Sequence, residues 1–247
     1  MSLLTPIRSR IRMLPKVISI AYRSLRTSAY VRQAKYLKYS PAFEDVLAKR
    51  DPRRGLTVTY EEIYTVYSSV HAISHIKGAI AEVGVYKGNT AKVICEIKGN
   101  RPLYLFDTFS GMPNEKISNH DNWELNTHAD NSLESVKAYL SEYPNVFFIP
   151  GMFPESLDNP AAKDVLSTEF ALVNLDVDLY QSTLDALHFF YPRLSPGGRI
   201  ISHNYNLKAS PGGDTPGVKK AFFEFFENRT SEVIEIAETQ CIVVKPH

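Results

Sequence analysis

Cysteine and long apolar segments are both scarce in this sequence. The 247 residues contain two cysteines, Cys95 and Cys241, which lie far apart in the chain. This count argues against a disulfide framework and favours reduced thiols, as in cytoplasmic proteins. No uninterrupted apolar run reaches the roughly 18 residues of a membrane span, and no apolar core is followed by a cleavage site of small residues. We therefore expect a cytoplasmic protein.

Acidic residues are absent from the first 40 positions, which hold nine Lys or Arg. Apolar residues recur there every three or four positions from Ile7 to Leu25, which predicts a basic amphipathic helix with a kink at Pro15. We assign residues 1–55 to a basic helical arm and residues 56–247 to one α/β domain. The arm would lie on an anionic membrane surface, or else pack on its own domain or on a second subunit of a homo-oligomer.

The rest of the chain has the opposite charge. Beyond residue 40, 19 basic residues stand against 27 acidic ones, a net charge of −8. This charge balance disfavours binding to the phosphate backbone, so we expect no nucleic-acid partner.

The chain is organised around residues 171–206. Ala171–Leu175 is an apolar run of strand length, Ser182–Tyr191 has helical spacing, and Pro196-Gly197-Gly198 is expected to stop that helix before a second strand at Ile200. A right-handed crossover of this kind places the ends of both strands on one edge of a parallel sheet, where ligands bind. The polar residues at those ends are Asp176, Asp178, His203 and Asn204.

A second strand, turn and helix unit lies earlier in the chain. Ala79–Val83 reads as a buried strand, residues 84–90 as a turn, and residues from about 91 to 97 as a helix. Glycine allows turn conformations and close ligand approaches that other residues do not. The next strand, Leu103–Phe106, ends in Asp107, where an acid can accept hydrogen bonds from two ribose hydroxyls. This arrangement predicts a nucleotide-containing cofactor.

Glu82 separates two classes of cofactor. A nicotinamide-dependent oxidoreductase would place a pyrophosphate at the turn after the first strand, and a carboxylate at position 82 would repel it. A cationic cofactor suits this position better.

The segment EVGVYKGNT, residues 82–90, resembles the first motif of class I S-adenosylmethionine-dependent methyltransferases, in particular the catechol-O-methyltransferase-like branch. The resemblance implies that Tyr86 and Thr90 hold the methionine part of S-adenosylmethionine and that Asp107 binds the ribose. It also places Gly151-Met152 against the adenine, where a purely structural turn is the alternative. The cofactor-binding residues expected on this basis are Glu82, Gly84, Tyr86, Gly88, Thr90, Asp107, Thr108, Gly151, Met152 and Asp176.

Three further segments, LYLFDTFSGMP, FFIPGMFPESL and LDVDLYQSTLDALHFFYPRLSPGG, resemble the macrocin-O-methyltransferase family, and the similarity covers about residues 57–230. That family methylates hydroxyls on deoxysugars and related natural products. The resemblance implies an O-methyltransferase acting on a sugar or sugar-bearing small molecule or glycan. It also implies an α/β fold with a doubly wound, mostly parallel, Rossmann-like sheet of seven strands. Glu232–Ile236 and Gln240–Val244 would form its C-terminal antiparallel hairpin.

The acid that corresponds to Asp176 binds a divalent metal in the resembling families, together with an Asp-Asp or Asp-Asn pair after the next strand. In this chain the pair is His203-Asn204. His203 is then either a general base beside Asp176 in a metal-independent reaction, or a ligand with Asp176 and Asn204 of a transition metal. A third alternative is a protein that binds cofactor without turnover. We place the base mechanism first, with Asp176 and His203 as the catalytic residues.

A polar, irregular segment runs between Met112 and Leu133 and includes His120, His128 and the only tryptophan, Trp123. A long loop at the ligand edge is usually a lid or a disordered excursion of the chain. A tryptophan is unusual in a fully solvated loop, so we expect this segment to cover the substrate.

Overall fold

The protein is described by a computed structural model that covers residues 40–55, 57–121, 123, 127–206, 216–236 and 239–247. The chain divides into two compact units, residues 1–44 and 45–247. The predicted arm helix falls outside the described residues, and the division into residues 1–55 and 56–247 stays a prediction. Within the described ranges, no helix is long and apolar enough to cross a membrane.

Residues 51–54, which we assigned to the arm, form hydrogen bonds with other residues of the larger unit. The Asp51 amide donates to Tyr139 Oη over 2.9 Å, and the Arg54 guanidinium donates to the Lys87 carbonyl over 3.0 Å. The Arg54 guanidinium also lies over the Tyr139 ring, 4.2 Å from its centroid. These contacts are all made inside the larger unit, to which residues 51–54 belong.

One mixed sheet of seven strands forms the centre of the larger unit. The strands are β1 (Ala79–Val83), β2 (Leu103–Asp107), β3 (Val146–Pro150), β4 (Phe170–Leu175), β5 (Leu194–Ser202), β6 (Val233–Glu235) and β7 (Cys241–Val244). Their order is β3-β2-β1-β4-β5-β7-β6. Strands β1 to β5 are parallel, and β7 runs antiparallel to both β5 and β6. The predicted parallel sheet with a terminal antiparallel hairpin is confirmed.

Helices cover both faces of the sheet. In the described part of the chain they are α1 (Pro41–Ala48), α2 (Tyr60–Ala72), α3 (Asn89–Ile97), α4 (Leu133–Tyr139), α5 (Tyr180–Arg193) and α6 (Pro216–Phe226). Side chains alternate along a strand, so Ala81 belongs to the core cluster under α5 and α6, and its neighbour Ile80 to the cluster under α2 and α3. The sheet is therefore doubly wound, as predicted.

Pro196-Gly197-Gly198 lies inside β5, and our prediction that it separates a helix from a strand was wrong. Helix α5 ends at Arg193 and β5 begins at Leu194. The strand pairs Leu194 with Phe170 but Arg199 with Leu172, so the segment between them bulges out of the ladder. Gly197 takes a φ of 75° there, which explains why a bulge at this point needs glycine.

Candidate active site

The loops that follow β1, β2, β4 and β5 lie side by side at the carboxyl edge of the sheet. Each loop contains a non-glycine residue with left-handed backbone: Tyr86 (φ 50°), Phe109 (φ 53°), Asp178 (φ 63°) and Asn204 (φ 59°). Such conformations cost about 1–3 kcal/mol each and concentrate at functional sites. Their occurrence in four neighbouring loops supports the predicted position of the site.

Gly84 joins the β1 loop to the β4 loop. A Cβ at this position would come within 2.1 Å of the Asp176 carbonyl oxygen, and the residue has a φ of 88°. We predicted that this glycine makes room for a cofactor and takes a turn conformation that is closed to other residues. Its positive φ agrees with the second expectation, and backbone of the neighbouring loop occupies the space where a Cβ would lie. A cofactor contact at Gly84 stays a prediction.

Asp107 bonds to three backbone amides. Its Oδ2 accepts from Val85 N (2.7 Å) and Tyr86 N (2.8 Å), and its Oδ1 accepts from Phe109 N (2.6 Å). Burial raises the pKa of the Asp107 carboxyl, and these three hydrogen bonds oppose the increase. The carboxylate therefore fixes the β1 loop to the β2 loop, which leaves limited acceptor capacity on Oδ1 for the predicted ribose contact. Thr108, beside it, donates to the Gly111 carbonyl over 2.5 Å.

The residues predicted around the methionine part lie close to one another. The Tyr86 hydroxyl donates to Asp130 Oδ1 over 2.6 Å, and Lys87 Nζ lies 2.5 Å from Asp130 Oδ2. Gly88, with a φ of 80°, begins α3 and leaves room for the Val136 side chain, which would lie 3.0 Å from a Cβ. Thr90 is buried in the first turn of α3. Their contact with cofactor stays a prediction.

The turn predicted to touch adenine has a structural explanation of its own. Gly151 has a φ of 128°, and its amide donates to the Asp107 carbonyl over 3.0 Å. The Met152 carbonyl accepts from Ser156 N over 2.6 Å. Both residues are half-buried and close to Asp107, and an adenine contact there remains a prediction.

Asp176 and Asp178 are close enough to influence each other. Burial raises the pKa of both carboxyls; for Asp178 the negative charges of Asp176 and Asp121 raise it further, well above its usual range. The positive charges of His203 and His128 and a hydrogen bond from Asn204 lower the pKa of Asp176. The predicted pair of acids is therefore present at the strand end, within an electrostatically coupled group.

Glu82 points into the protein interior. It is 1% exposed, and its Oε1 accepts from Asn174 Nδ2 over 3.1 Å. Its Oε2 has no hydrogen-bond partner among the described residues. Burial raises the pKa of Glu82 well above its usual range; the Asn174 bond opposes this, and the charges of Asp176 and Asp107 add to it. Glu82 therefore tends to be protonated and neutral. The repulsion between a Glu82 carboxylate and a pyrophosphate, which we used to disfavour a nicotinamide cofactor, is then a weak argument.

His203 also faces inward. It is 3% exposed, and its Nε2 lies 3.1 Å from Asn174 Oδ1 and 3.1 Å from Gln240 Nε2. Because Asn174 Nδ2 donates to Glu82, its Oδ1 is oriented to accept from His203, which assigns the imidazole proton to Nε2. With the proton on Nε2, the ring nitrogen that can accept from the Gln240 amide is Nδ1, which lies 3.5 Å from Gln240 Nε2. In this arrangement the imidazole is engaged by two buried amides, which is unfavourable for a base that must reach a substrate.

The three residues predicted to bind a metal have different surroundings, and a metal at this edge stays a prediction. Asp176 and Asn204 lie at the edge, but the third ligand, His203, has its ring in the buried polar chain with Asn174 and Gln240. Across the described ranges, no group of three His, Cys, Asp or Glu side chains is arranged to hold a metal ion. One carboxylate and one amide are too few ligands for a tight divalent site.

Three residues of this region were missed as site residues: Asn174, Gln240 and His128. Asn174 is a fully buried polar residue within an otherwise apolar strand, and that exception was visible in the sequence. Gln240 lies next to β7 and 37 positions from its partner His203, so only the fold brings them together. His128 was part of the polar loop, and its Nε2 lies 4.0 Å from Asp178 Oδ2.

Solved structures of methyltransferases share this fold. The O-methyltransferase NovP superposes with a TM-score of 0.64 at 22% identity, covering 78% of this chain and 82% of that one. A calicheamicin methyltransferase gives a TM-score of 0.62 at 18% identity, covering 74% and 78%. At these identities the likeness establishes the fold alone, which is that of class I methyltransferases.

The sequence match is more specific than the fold. The macrocin-O-methyltransferase family model matches residues 31–232, and the chain belongs to that family.

Two curated relatives illustrate the match. A Streptomyces olivaceus 8-demethyl-8-(2,3-dimethoxy-alpha-L-rhamnosyl)-tetracenomycin-C 4'-O-methyltransferase is 34% identical over 54% of this chain and 55% of its own length. A Micromonospora griseorubida mycinamicin III 3''-O-methyltransferase is 29% identical over 65% of this chain and 66% of its own. The matched region thus spans about half to two thirds of these relatives.

Proposed function

We propose that this protein transfers a methyl group from S-adenosylmethionine to a hydroxyl of a sugar or sugar-bearing small molecule. The observation that carries the proposal is the carboxyl-rich edge formed by Asp107, Asp176 and Asp178 beside the glycine loop of β1. Negative charge at this edge favours a cationic sulfonium and disfavours the pyrophosphate of a nicotinamide cofactor. Family membership supports the reaction, and the rhamnosyl group in the name of the Streptomyces olivaceus relative supports a sugar acceptor.

S-adenosylmethionine supplies an electrophilic methyl group on a sulfonium centre when it is bound. The protein positions the two reactants relative to each other. Asp107 holds the β1 and β2 loops together, Gly84 holds the β1 and β4 loops in contact, and Asp130 bonds both Tyr86 and Lys87. A preformed edge of this kind orients the two reactants without further ordering, which is where most of the rate enhancement of a transfer reaction originates.

A metal-independent reaction is part of this proposal. Asp176 and Asn204 follow neighbouring strands at the edge, and the imidazole of His203 is engaged by Asn174 and Gln240, so a magnesium ion would have few oxygen ligands there. Activity should accordingly survive chelation. The loss of catalysis altogether is less well supported, since Asp176 and Asp178 lie together at this edge with raised pKa values, and carboxyls of that kind concentrate at functional sites.

The first 40 residues are proposed to contact an anionic membrane surface or a second subunit, on the basis of their nine positive charges. For an oligomer, Phe223 on α6 is a further contact candidate, since its side chain is 47% exposed. Deletion of residues 1–40 should change oligomer size in light scattering or co-sedimentation with anionic liposomes. Affinity for S-adenosylhomocysteine should stay the same, because the cofactor motifs lie beyond the deletion.

The test of the main proposal has two parts. Calorimetry with S-adenosylhomocysteine and with NAD should show binding of the first alone. Methyl transfer to a panel of rhamnosides and other glycosides, with and without EDTA, should then give product in both conditions. Binding of NAD but not S-adenosylhomocysteine would refute the cofactor class. Binding of S-adenosylhomocysteine with no methylated glycoside would refute the acceptor class, and turnover that EDTA abolishes would refute the metal-independent reaction.

A further inference from the structure

We propose that His128 is the general base that removes the proton of the acceptor hydroxyl, an inference that rests on the proposed methyl transfer. His128 lies outside every motif that carries the family resemblance. The structure nevertheless brings it to the carboxyl edge, where its Nε2 is 4.0 Å from Asp178 Oδ2. This distance is longer than a hydrogen bond, so the Asp178 carboxyl is a close neighbour of the imidazole and not its hydrogen-bond partner.

The His128 ring is both held and accessible. Its centroid lies 4.7 Å from the Tyr86 ring and 5.9 Å from the Trp123 ring, so the imidazole sits between two aromatic side chains. Its side chain is 33% exposed, whereas His203 as a residue is 3% exposed. A base must come within hydrogen-bond reach of the proton it takes, and of these two histidines His128 is the more exposed to solvent.

The backbone around His128 is fixed in an uncommon conformation. His128 has a φ of 63°, a left-handed value that is sparsely populated by side-chain-bearing residues. On one side, the Thr127 carbonyl accepts from Met112 N over 2.9 Å; on the other, Ala129 lies against Gly111, where a Cβ would come within 2.9 Å of its Cα. The next residue, Asp130, bonds the Tyr86 hydroxyl. Backbone strain that is held in place from both sides is typical of residues positioned for function.

The charges around His128 favour the imidazolium that forms when it accepts a proton. The elements packed near it contribute Asp178 and Asp176 after β4, Asp107 at the end of β2, and the Tyr86 and Lys87 pair with Asp130. The positive charge of His128 lowers the pKa of both Asp176 and Asp107, which shows that the three groups interact. By the same interaction, the two carboxylates stabilise a positive charge on the ring.

Two other histidines are less suitable. His203 also affects Asp176, but its imidazole is engaged by Asn174 and Gln240. His120, on the same loop, has its Nε2 2.5 Å from Lys220 Nζ and its ring against Tyr180, so that nitrogen already has a partner. His128 therefore combines access with carboxylate neighbours.

The chemical step balances with this assignment. The acceptor oxygen forms a bond to the methyl carbon while the bond between that carbon and sulfur breaks, and the released electron pair stays on sulfur as the thioether of S-adenosylhomocysteine. The hydroxyl proton passes to the imidazole of His128, which then releases it to water. An acceptor oxygen that gained the methyl group and kept its proton would carry a positive charge. Removal of the proton by the imidazole prevents that charge from building up.

The test uses the full chain with His128→Asn and His128→Gly. Asparagine and glycine both tolerate left-handed backbone, so these variants remove the imidazole without adding strain. His188→Ala is the matched control, because His188 packs its ring on Phe225 of α6, 5.0 Å between centroids, away from the edge. We expect S-adenosylhomocysteine binding by calorimetry to be retained in all three variants. Turnover should fall by about 100-fold to 10,000-fold in the two His128 variants and stay unchanged in the control.

Two further readouts separate a base from a residue that only shapes the site. Added imidazole should restore part of the turnover of His128→Gly. The wild-type rate should rise with pH as the imidazole loses its proton, and the rate of His128→Asn should lose that rise. Full turnover of His128→Asn, or a loss that imidazole does not rescue and that leaves the pH dependence unchanged, overturns the assignment while the proposed function stands. A wild-type protein that binds S-adenosylhomocysteine but methylates no glycoside overturns the proposed function and this inference with it.

Discussion

Gly84 and Asp176 touch through their backbones: a Cβ on Gly84 would lie 2.1 Å from the Asp176 carbonyl oxygen and 2.6 Å from its carbonyl carbon. This contact joins the loop of the first cofactor motif to the loop that carries the central acids. Because Gly84 has no Cβ, the loop of residues 84–90 can approach the Asp176 backbone this closely.

We predict that Gly84→Ala lowers the free energy of unfolding by at least about 2 kcal/mol. A left-handed backbone costs an L-residue about 1–2 kcal/mol, and the overlap with Asp176 adds to that cost. The midpoint of thermal unfolding should fall by at least about 4 °C. Gly99→Ala is the matched control, since Gly99 has a φ of 59° and no atom within 4 Å of a Cβ. Equal losses in the two variants would show that the contact with Asp176 contributes nothing.

Asp107→Ala should reduce both stability and cofactor affinity. The change leaves the amides of Val85, Tyr86 and Phe109 without their acceptor, which should cost about 3 kcal/mol of unfolding free energy. If Asp107 also accepts from ribose hydroxyls, the affinity for S-adenosylhomocysteine should fall by a further 1.5 to 3 kcal/mol, roughly. Chemical denaturation and calorimetry measure the two effects separately. An unchanged dissociation constant in a folded variant would restrict Asp107 to holding the loops.

Glu82→Gln should stabilise the cofactor-free protein increasingly as pH rises. The pKa of Glu82 is raised in the folded state, so the folded protein binds a proton that the unfolded chain has lost above its ordinary pKa of about 4.3. Stability linked to Glu82 is therefore fully present below that value and is lost as pH rises through the folded-state pKa. Glutamine keeps the acceptor for Asn174 and does not ionise. Denaturation curves at pH 5 and pH 8 should show a larger gain for the variant at pH 8; no difference between the two pH values would mean that Glu82 is ionised throughout.

His203→Ala should act mainly on stability. Removal of the ring leaves the Asn174 and Gln240 side chains without a shared partner in a buried region, which should cost about 2–4 kcal/mol. His203→Gln is the comparison, because glutamine retains a donor and an acceptor and should lose less. Methyl transfer at a temperature where both variants are folded should keep the wild-type dependence on pH. A folded His203→Ala variant that loses the pH dependence would restore the base role that we first assigned to His203.

Much of the fold followed from local pattern. β1 was predicted with the bounds that the structure has, and the hairpin of β6 and β7 falls inside its predicted segments, because the alternation of apolar residues and the turn residues between them are properties of short stretches. The rule that crossovers between parallel strands are right-handed then placed Asp107 and Asp176 on one edge. The bulge in β5 was not predicted. In the sequence, Gly197 and Gly198 look like the end of a helix, and only the pairing of Leu194 with Phe170 shows that they lie inside a strand.

The direction of polar side chains at the edge was decided by the tertiary structure. In the sequence, His203 follows an apolar strand and His128 lies in a polar loop, and this local pattern favoured His203 as the residue of the site. The fold places two buried amides, from positions 174 and 240, against the first, and an aspartate 50 residues downstream near the second. The sequence alone determined which strands form and which residues end them, because those depend on short-range periodicity. Which of the two imidazoles faces the substrate side depends on partners distant in the chain, and those are brought together only when the sheet is assembled.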